Sequence, residues 1–195
     1  MKGNDSIKLN EWNNLEMINV NDNLYIYKCF FEEEKYIQLT LKSKYILTLL
    51  YALTDENNYF LMKQIDLARF LAIAKQNVNS TVVRLAKYGF INIDGQAIKV
   101  NRPSNQETIP LHKSLVFGKY KALSTGAKLL FSYFRWLQVQ QRKDYLLIKA
   151  SNISKNIGVS IKSLQTYYKE LESVGLLERG KEGRMNTLNF KKISK

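Results

Sequence analysis

Two stretches of this chain repeat one another, and the repeat limits the folds open to it more than any other feature. Lys35-Tyr36-Ile37-Gln38-Leu39-Thr40 matches Lys119-Tyr120-Lys121-Ala122-Leu123-Ser124 at an offset of 84, and Lys44 falls on Lys128. Farther along the offset is 86. Leu61-Met62-Lys63 lies on Leu147-Ile148-Lys149, and Leu67, Leu71, Ile73, Val78 and Leu85 lie on Ile153, Ile157, Val159, Leu164 and Leu171. Gly89-Phe90-Ile91 then lies on Gly175-Leu176-Leu177. Identities are few, but the apolar register holds over about 55 residues, the length of one supersecondary unit written twice. Between the copies, residues 101–110 hold both prolines, Pro103 and Pro110, and lack periodicity, so they read as a linker.

Each copy predicts the same order of elements. Residues 40–53 and 124–137 are apolar at helical spacing, opened by the caps Thr40 and Ser124. A short strand follows, 59–62 or 145–148, and then a short helix, 65–71 or 152–157, the second capped by Ser151. A longer helix comes next, 75–88 or 161–174, closed by Gly89 or Gly175. The copy ends in a hairpin. The first turns at Asp94-Gly95; the second has a longer loop from Gly180 to Arg184. Helix, strand, helix, turn, helix, hairpin is the order of a winged helix-turn-helix. The expected fold is therefore mainly α with small β hairpins (α+β), in two tandem winged helix-turn-helix domains. Residues 1–34 form an N-terminal arm and strand, 35–100 the first domain, 101–112 the linker and 113–195 the second domain.

Charge then says what such units meet. The 195 residues carry 30 Lys+Arg against 17 Asp+Glu, a net of +13, which on a folded chain points to polyanions. The excess is uneven. Residues 1–34 are net −4, 35–100 net +5, and 101–195 hold 18 basic against 6 acidic groups, net +12. The acidic run Glu32-Glu33-Glu34 reads as a solvated turn, or as a segment that covers a basic face or docks a neighbouring chain. One Cys cannot form an internal disulfide, and one His, His112, excludes a His-pair metal site. No phosphate loop of the GxxxxGK[ST] kind is present. The expectation is a cytoplasmic protein that is not an enzyme, with no cofactor, no metal and no membrane partner. Cys29, in a predicted strand over 24–31, reads as a small buried apolar residue.

In a helix-turn-helix the second helix of the motif enters the major groove, N-terminal end first. One face must be apolar to anchor it; the other must offer groups that bond base edges and phosphates. In the first copy Val78, Val82 and Leu85 form the stripe, and Lys75, Gln76, Asn77, Ser80, Thr81 and Arg84 form the candidate contact face. In the second, Leu164, Tyr168 and Leu171 form the stripe, and Lys162, Ser163, Thr166, Tyr167 and Lys169 the face. Glu170, matching Arg84, is a cytosine acceptor or simply solvated. The second hairpin adds Arg179, Lys181 and Arg184 as phosphate probes. Phe131, Tyr133, Phe134 and Trp136 read as packing residues, since they lie on the first helix. The partner so implied is double-stranded DNA. The strand at 24–31, with Tyr25 and Tyr27, offers an edge for a homodimer. A transcriptional repressor and a winged-helix module binding a host protein would use the same surfaces.

The segment Ile109-Pro110-Leu111-His112-Lys113-Ser114-Leu115-Val116-Phe117, continuing through Tyr120-Lys121-Ala122-Leu123-Ser124 and Ala127-Lys128-Leu129-Leu130, resembles the opening of the RepA amino-terminal family. Leu171-Glu172-Ser173-Val174-Gly175-Leu176-Leu177-Glu178-Arg179 is similar to the end of that family's recognition helix. The members are plasmid replication initiators of low-GC Gram-positive bacteria. The resemblance covers the second half of the chain. It implies a winged-helix origin binder that acts as a dimer and helps recruit host replication proteins. The tandem arrangement is also similar to an initiator class in which one domain dimerises and both bind origin repeats.

Overall fold

The computed structural model describes residues 23–60, 63–71, 73–95, 97–104, 107–183 and 185–193. The chain runs β1 (Asn23–Tyr27), α1 (Cys29–Glu32), α2 (Glu34–Ile37), α3 (Leu41–Ala52), α4 (Gln64–Phe70), α5 (Lys75–Lys87), β2 (Ile91–Asp94) and β3 (Ala97–Val100). It continues with β4 (Thr108–His112), α6 (Lys113–Val116), α7 (Thr125–Gln140), β5 (Leu146–Leu147), α8 (Ala150–Ile157), α9 (Ile161–Ser173), β6 (Leu177–Glu182) and β7 (Met185–Phe190). This is a mixed α+β fold with small antiparallel sheets.

The sequence repeat reappears in the elements. α5 and α9 have the same length and lie 86 residues apart, and the caps of α3 and α7 share one conformation. Thr40 accepts from the Ser43 N–H, and Ser124 from the Ala127 N–H, as Ser/Thr caps do. After α5 and α9, Gly89 and Gly175 both take φ 73°. There the Phe90 N–H bonds the Leu85 carbonyl and the Leu176 N–H the Leu171 carbonyl, the closing bond of a Schellman motif.

Several expected boundaries move. The first hairpin pairs Asp94 with Ala97, so its two-residue turn begins at Gly95 (φ 56°) rather than at Asp94. The second pairs Glu182 with Met185, so the long loop is instead strand up to Glu182. Gly180 permits this, because a Cβ there would lie 2.7 Å from Thr187 Oγ1. Helix α8 starts at Ala150 after Lys149, so Ser151 lies inside the first turn and does not cap it. Of the strand expected at 59–62, residues 61 and 62 lie outside the described set. Tyr59 bridges Lys99, and the Phe60 N–H bonds the Ile98 carbonyl, which adds a short third segment to the first hairpin.

The larger correction concerns the arm and the linker. Thr108–His112 is strand β4, and it pairs along its whole length with β1. Pro110 is tolerated because it faces outward, opposite Tyr25, on a two-stranded sheet. One side of the expected dimer edge is thereby paired within the chain: Tyr27 is buried, and 29–31 is a buried helical turn rather than strand. Cys29 is buried there, and desolvation pushes its thiol up to about 11. β1 packs on α3 and β4 on α7, while α3 and α7 pack on each other. One core therefore runs through both copies. Helix α3 sits in the middle of it and buries ten of its twelve residues, as expected of a helix surrounded by protein. Phe131, Tyr133 and Phe134 pack in this core, with the Tyr133 ring tilted by 34° against Phe31 at 4.6 Å between centroids.

The rest of the linker is fastened by Arg102. Its guanidinium donates to Asn58 Oδ1, the Tyr27 hydroxyl, the Tyr51 carbonyl and Thr54 Oγ1, and it lies over the Tyr51 ring. Arg102→Ala is expected to cost about 2–3 kcal/mol, since several bonds to a charged donor go at once. Thermal unfolding would read this as a midpoint lower by roughly 5–10 °C.

Candidate nucleic-acid interface

The stripe that anchors α5 and α9 is wider than the three residues read from the sequence. Val78, Val82 and Leu85 are buried, as are Leu164, Tyr168 and Leu171. The i+3 position between them also turns inward, giving the i, i+3, i+4, i+7 pattern of a helix on a core. That position is Thr81 in the first copy and its counterpart Tyr167 in the second. Thr81 is buried, its hydroxyl donating to the Asn77 carbonyl at 2.9 Å. Tyr167 is half-buried against α7, where a Cβ on Gly126 would fall 2.2 Å from its ring. Burial raises the pKa of its phenol. Both therefore leave the candidate contact face. Gly126→Ala would force Tyr167 off α7, at a cost of about 1–3 kcal/mol. Adding Tyr167→Ala should recover part of that loss, and a double-mutant cycle in denaturant measures the coupling.

What remains outside differs between the copies. On α5, Lys75, Gln76, Asn77, Ser80 and Arg84 are exposed, joined by Val83 and Lys87. Lys87 lies three residues beyond Arg84, so helical spacing alone would have found it. Val83, 63% exposed, puts an apolar group in the middle of this face. On α9, Lys162, Thr166 and Lys169 are exposed. Lys169 is the counterpart of Val83, so the same position is basic in the second copy. Ser163 is half-buried and belongs to the helix cap: its N–H bonds Ser160 Oγ at 3.1 Å and the two hydroxyls meet at 2.9 Å. Glu170 is not simply solvated; its carboxylate accepts from the Ser124 N–H at 2.8 Å and ties α9 to the start of α7.

The hairpin residues also divide. Arg179 is engaged within the fold. Its Nε and Nη2 donate to the two Glu172 oxygens at 2.7 Å each, and Nη1 donates to Gln165 at 2.9 Å. The guanidinium lies 5.2 Å from the Tyr168 ring centroid, and Glu172 raises its pKa further. This bidentate clamp holds β6 to α9, so Arg179 is a positioning residue rather than a phosphate probe. Lys181 is exposed on β6. Arg184 lies outside the described residues. The site the structure assembles is thus Lys162, Thr166 and Lys169 on α9, with α8 packed beneath and Lys181 on the clamped hairpin beside it. Among the described residues no ion pair engages Lys162, Lys169 or Lys181.

His112 uses Nδ1 to cap α6, accepting from the Ser114 N–H. No group of three or more potential metal ligands occurs among the described residues. None of their helices is long and apolar enough to cross a membrane.

No protein-family model matches the chain, and no curated protein matches it. Among solved structures it is similar to the DIP2311 protein from Corynebacterium diphtheriae, at 15% identity and a TM-score of 0.26. That likeness covers 77% of this chain and 26% of the other, so the chain spans about a quarter of that protein's length. A TM-score this low does not establish a shared fold.

Proposed function

We propose that the chain is a sequence-specific double-stranded DNA-binding protein built from two tandem winged helix-turn-helix units. The observation that carries this reading is the second copy's outer surface. An exposed, cation-bearing helix face lies beside a clamped hairpin, in the half that holds nearly all of the net charge. Lysines outside any ion pair among the described residues suit phosphate contact, and Thr166 suits base or backbone contact. The initiator role, at repeated origin sites of a plasmid or similar element, rests on the resemblance of residues 109–133 and 171–179 to the RepA amino-terminal family. For the first copy, exposed Val83 favours a share in assembly or partner binding beside any DNA contact.

The test is selection from random duplex DNA at physiological salt, followed by footprinting. An enriched motif supports the reading, and its location separates an origin array of direct repeats from a single promoter site. Recovery of no motif would remove sequence-specific DNA binding.

A further inference from the structure

A second dense group of cations lies away from α9. The C-terminal end of α7, the turn after it and the end of β7 enclose an open hollow of about 410 Å³. Arg135, Arg142, Lys143, Lys191 and Lys192 line it, with Asp144 as the single acid among the described residues. Lys191 pairs with Glu178; among the described residues no ion pair is made by the other five.

The hollow is firmly held. Gln138, 2% exposed, donates from Nε2 to the Asp144 carbonyl at 2.8 Å and accepts from the Phe190 N–H at 2.9 Å. One buried amide thus sets Arg142 and Lys143 against Lys191 and Lys192. Arg142 also stands where the chain elsewhere uses glycine. α5, α8 and α9 are each followed by a left-handed glycine, Gly89, Gly158 or Gly175, at φ 71–73°. After α7 that place is taken by Arg142 at φ 53°, with its N–H on the Val139 carbonyl and the Lys143 N–H on the Gln138 carbonyl. Arginine suits that backbone region poorly. A helix C-terminus carries only about half a negative charge, which the three positive charges left after Asp144 and Glu178 are counted still exceed.

We propose that this hollow is a second phosphate site, taking a backbone phosphate of DNA beyond the stretch that α9 would contact. Two guanidiniums can grip a phosphate through paired N–H donors, and the lysines add point charge. Lys181 pairs with Asn186 and the hollow begins at Asn189 on that strand, roughly 10 Å farther along at about 3.3 Å per residue, so it and Lys181 hold different phosphates. The phosphate chemistry stands on the hollow alone; the DNA source rests on the DNA-binding reading.

The test uses the full chain and the variant Arg142→Gly/Lys143→Gln/Lys192→Gln. Glycine relieves the left-handed position, so the variant should unfold at the same temperature or higher, which separates lost binding from lost folding. Calorimetric titration with inorganic pyrophosphate should show binding at least about tenfold weaker in the variant, since each of the three lost cations weakens a charge-assisted contact. With a duplex of about 40 bp, the slope of log K against log salt should fall by about 1–2, at roughly 0.9 per phosphate. Pyrophosphate binding and salt slope both unchanged would overturn the proposal. Pyrophosphate binding lost with an unchanged slope keeps the phosphate site and overturns its DNA source in favour of a free phosphorylated ligand. If the parent chain binds no duplex at all, the DNA reading fails and the pyrophosphate result alone decides the hollow. Binding of a polyglutamate peptide, lost in the variant, with neither pyrophosphate nor DNA bound, overturns the phosphate assignment in favour of an acidic protein.

Discussion

Lys44→Met is expected to stabilise the chain by roughly 2–3 kcal/mol near neutral pH, raising the thermal midpoint by about 5–10 °C. Lys44 is fully buried in α3, and its Nζ has no hydrogen-bond partner among the described residues. Its nearest compensation is the Phe31 ring, 5.3 Å away. Burial lowers its pKa from 10.5 to about 8, which corresponds to roughly 3 kcal/mol against the charged form. Methionine has a similar volume and a polarisable sulfur that suits an aromatic neighbour, so it keeps the packing and removes the charge. The repeat supplies a control. Lys128 is also buried, with its pKa lowered to about 8, but its Nζ donates to the Lys121 carbonyl at 2.7 Å. Lys128→Met should gain less, because it leaves that carbonyl unpaired. The sign with pH follows from linkage. Between about pH 8 and 10.5 the unfolded chain holds the Lys44 proton and the folded chain has released it, so the parent gains stability as pH rises through that window. Below pH 8 the full penalty is present. The buried Cys29 thiol and the buried tyrosines act in the opposite sense from about pH 9 upward, because their folded pKa values are raised. The quantity to measure is therefore the difference between parent and variant, by denaturant unfolding at pH 7 and 9.5. It should shrink at the higher pH. A variant less stable at pH 7 would mean that the ammonium contributes more than its desolvation costs.

The elements legible in the sequence are those whose signal is local. The apolar period, the Thr40 and Ser124 caps and the glycines after α5 and α9 all act within a turn or two, and the helices follow them closely. The pairing of β1 with β4 is not local. Nothing in residues 23–27 names a partner in 108–112, and Pro110 argues against a strand unless its outward position is known. Arg102 was unreadable for the same reason: its four acceptors come from β1, the end of α3 and the loop after it. At the candidate site, sequence gave the polar character of α5 and α9 but not its direction. Thr81 and Tyr167 look suited to an outer face by type, and both turn inward because the stripe includes i+3. Arg179 has the chemistry of a phosphate probe, and Glu172 and Gln165 consume it; a Glu seven residues before an Arg across a turn is too weak a pattern to reveal that.

Under the DNA-binding proposal, Lys162→Ala/Lys169→Ala/Lys181→Ala should lower duplex affinity by about 10²–10³ near 0.1 M salt and reduce the slope of log K against log salt by about 2–3. The three side chains are exposed and outside any ion pair among the described residues, so they keep their full charge for a polyanion. For the same reason stability should change by no more than about 0.5 kcal/mol, and the unfolding midpoint serves as the internal check. Lys75→Ala/Arg84→Ala on α5 should do less, because the face it leaves is centred on Val83 and belongs to the less basic half. Arg179→Ala has a different signature. It releases Glu172 and Gln165, loosens the hairpin from α9 and lowers the midpoint by several degrees, and any loss of affinity should come with little change in salt slope. Anisotropy titrations at several salt concentrations separate these cases. If the triple lysine variant binds with the parent's affinity and slope, the outer face of α9 and Lys181 do not meet phosphate, and the strongly basic half must serve an acidic partner of another kind.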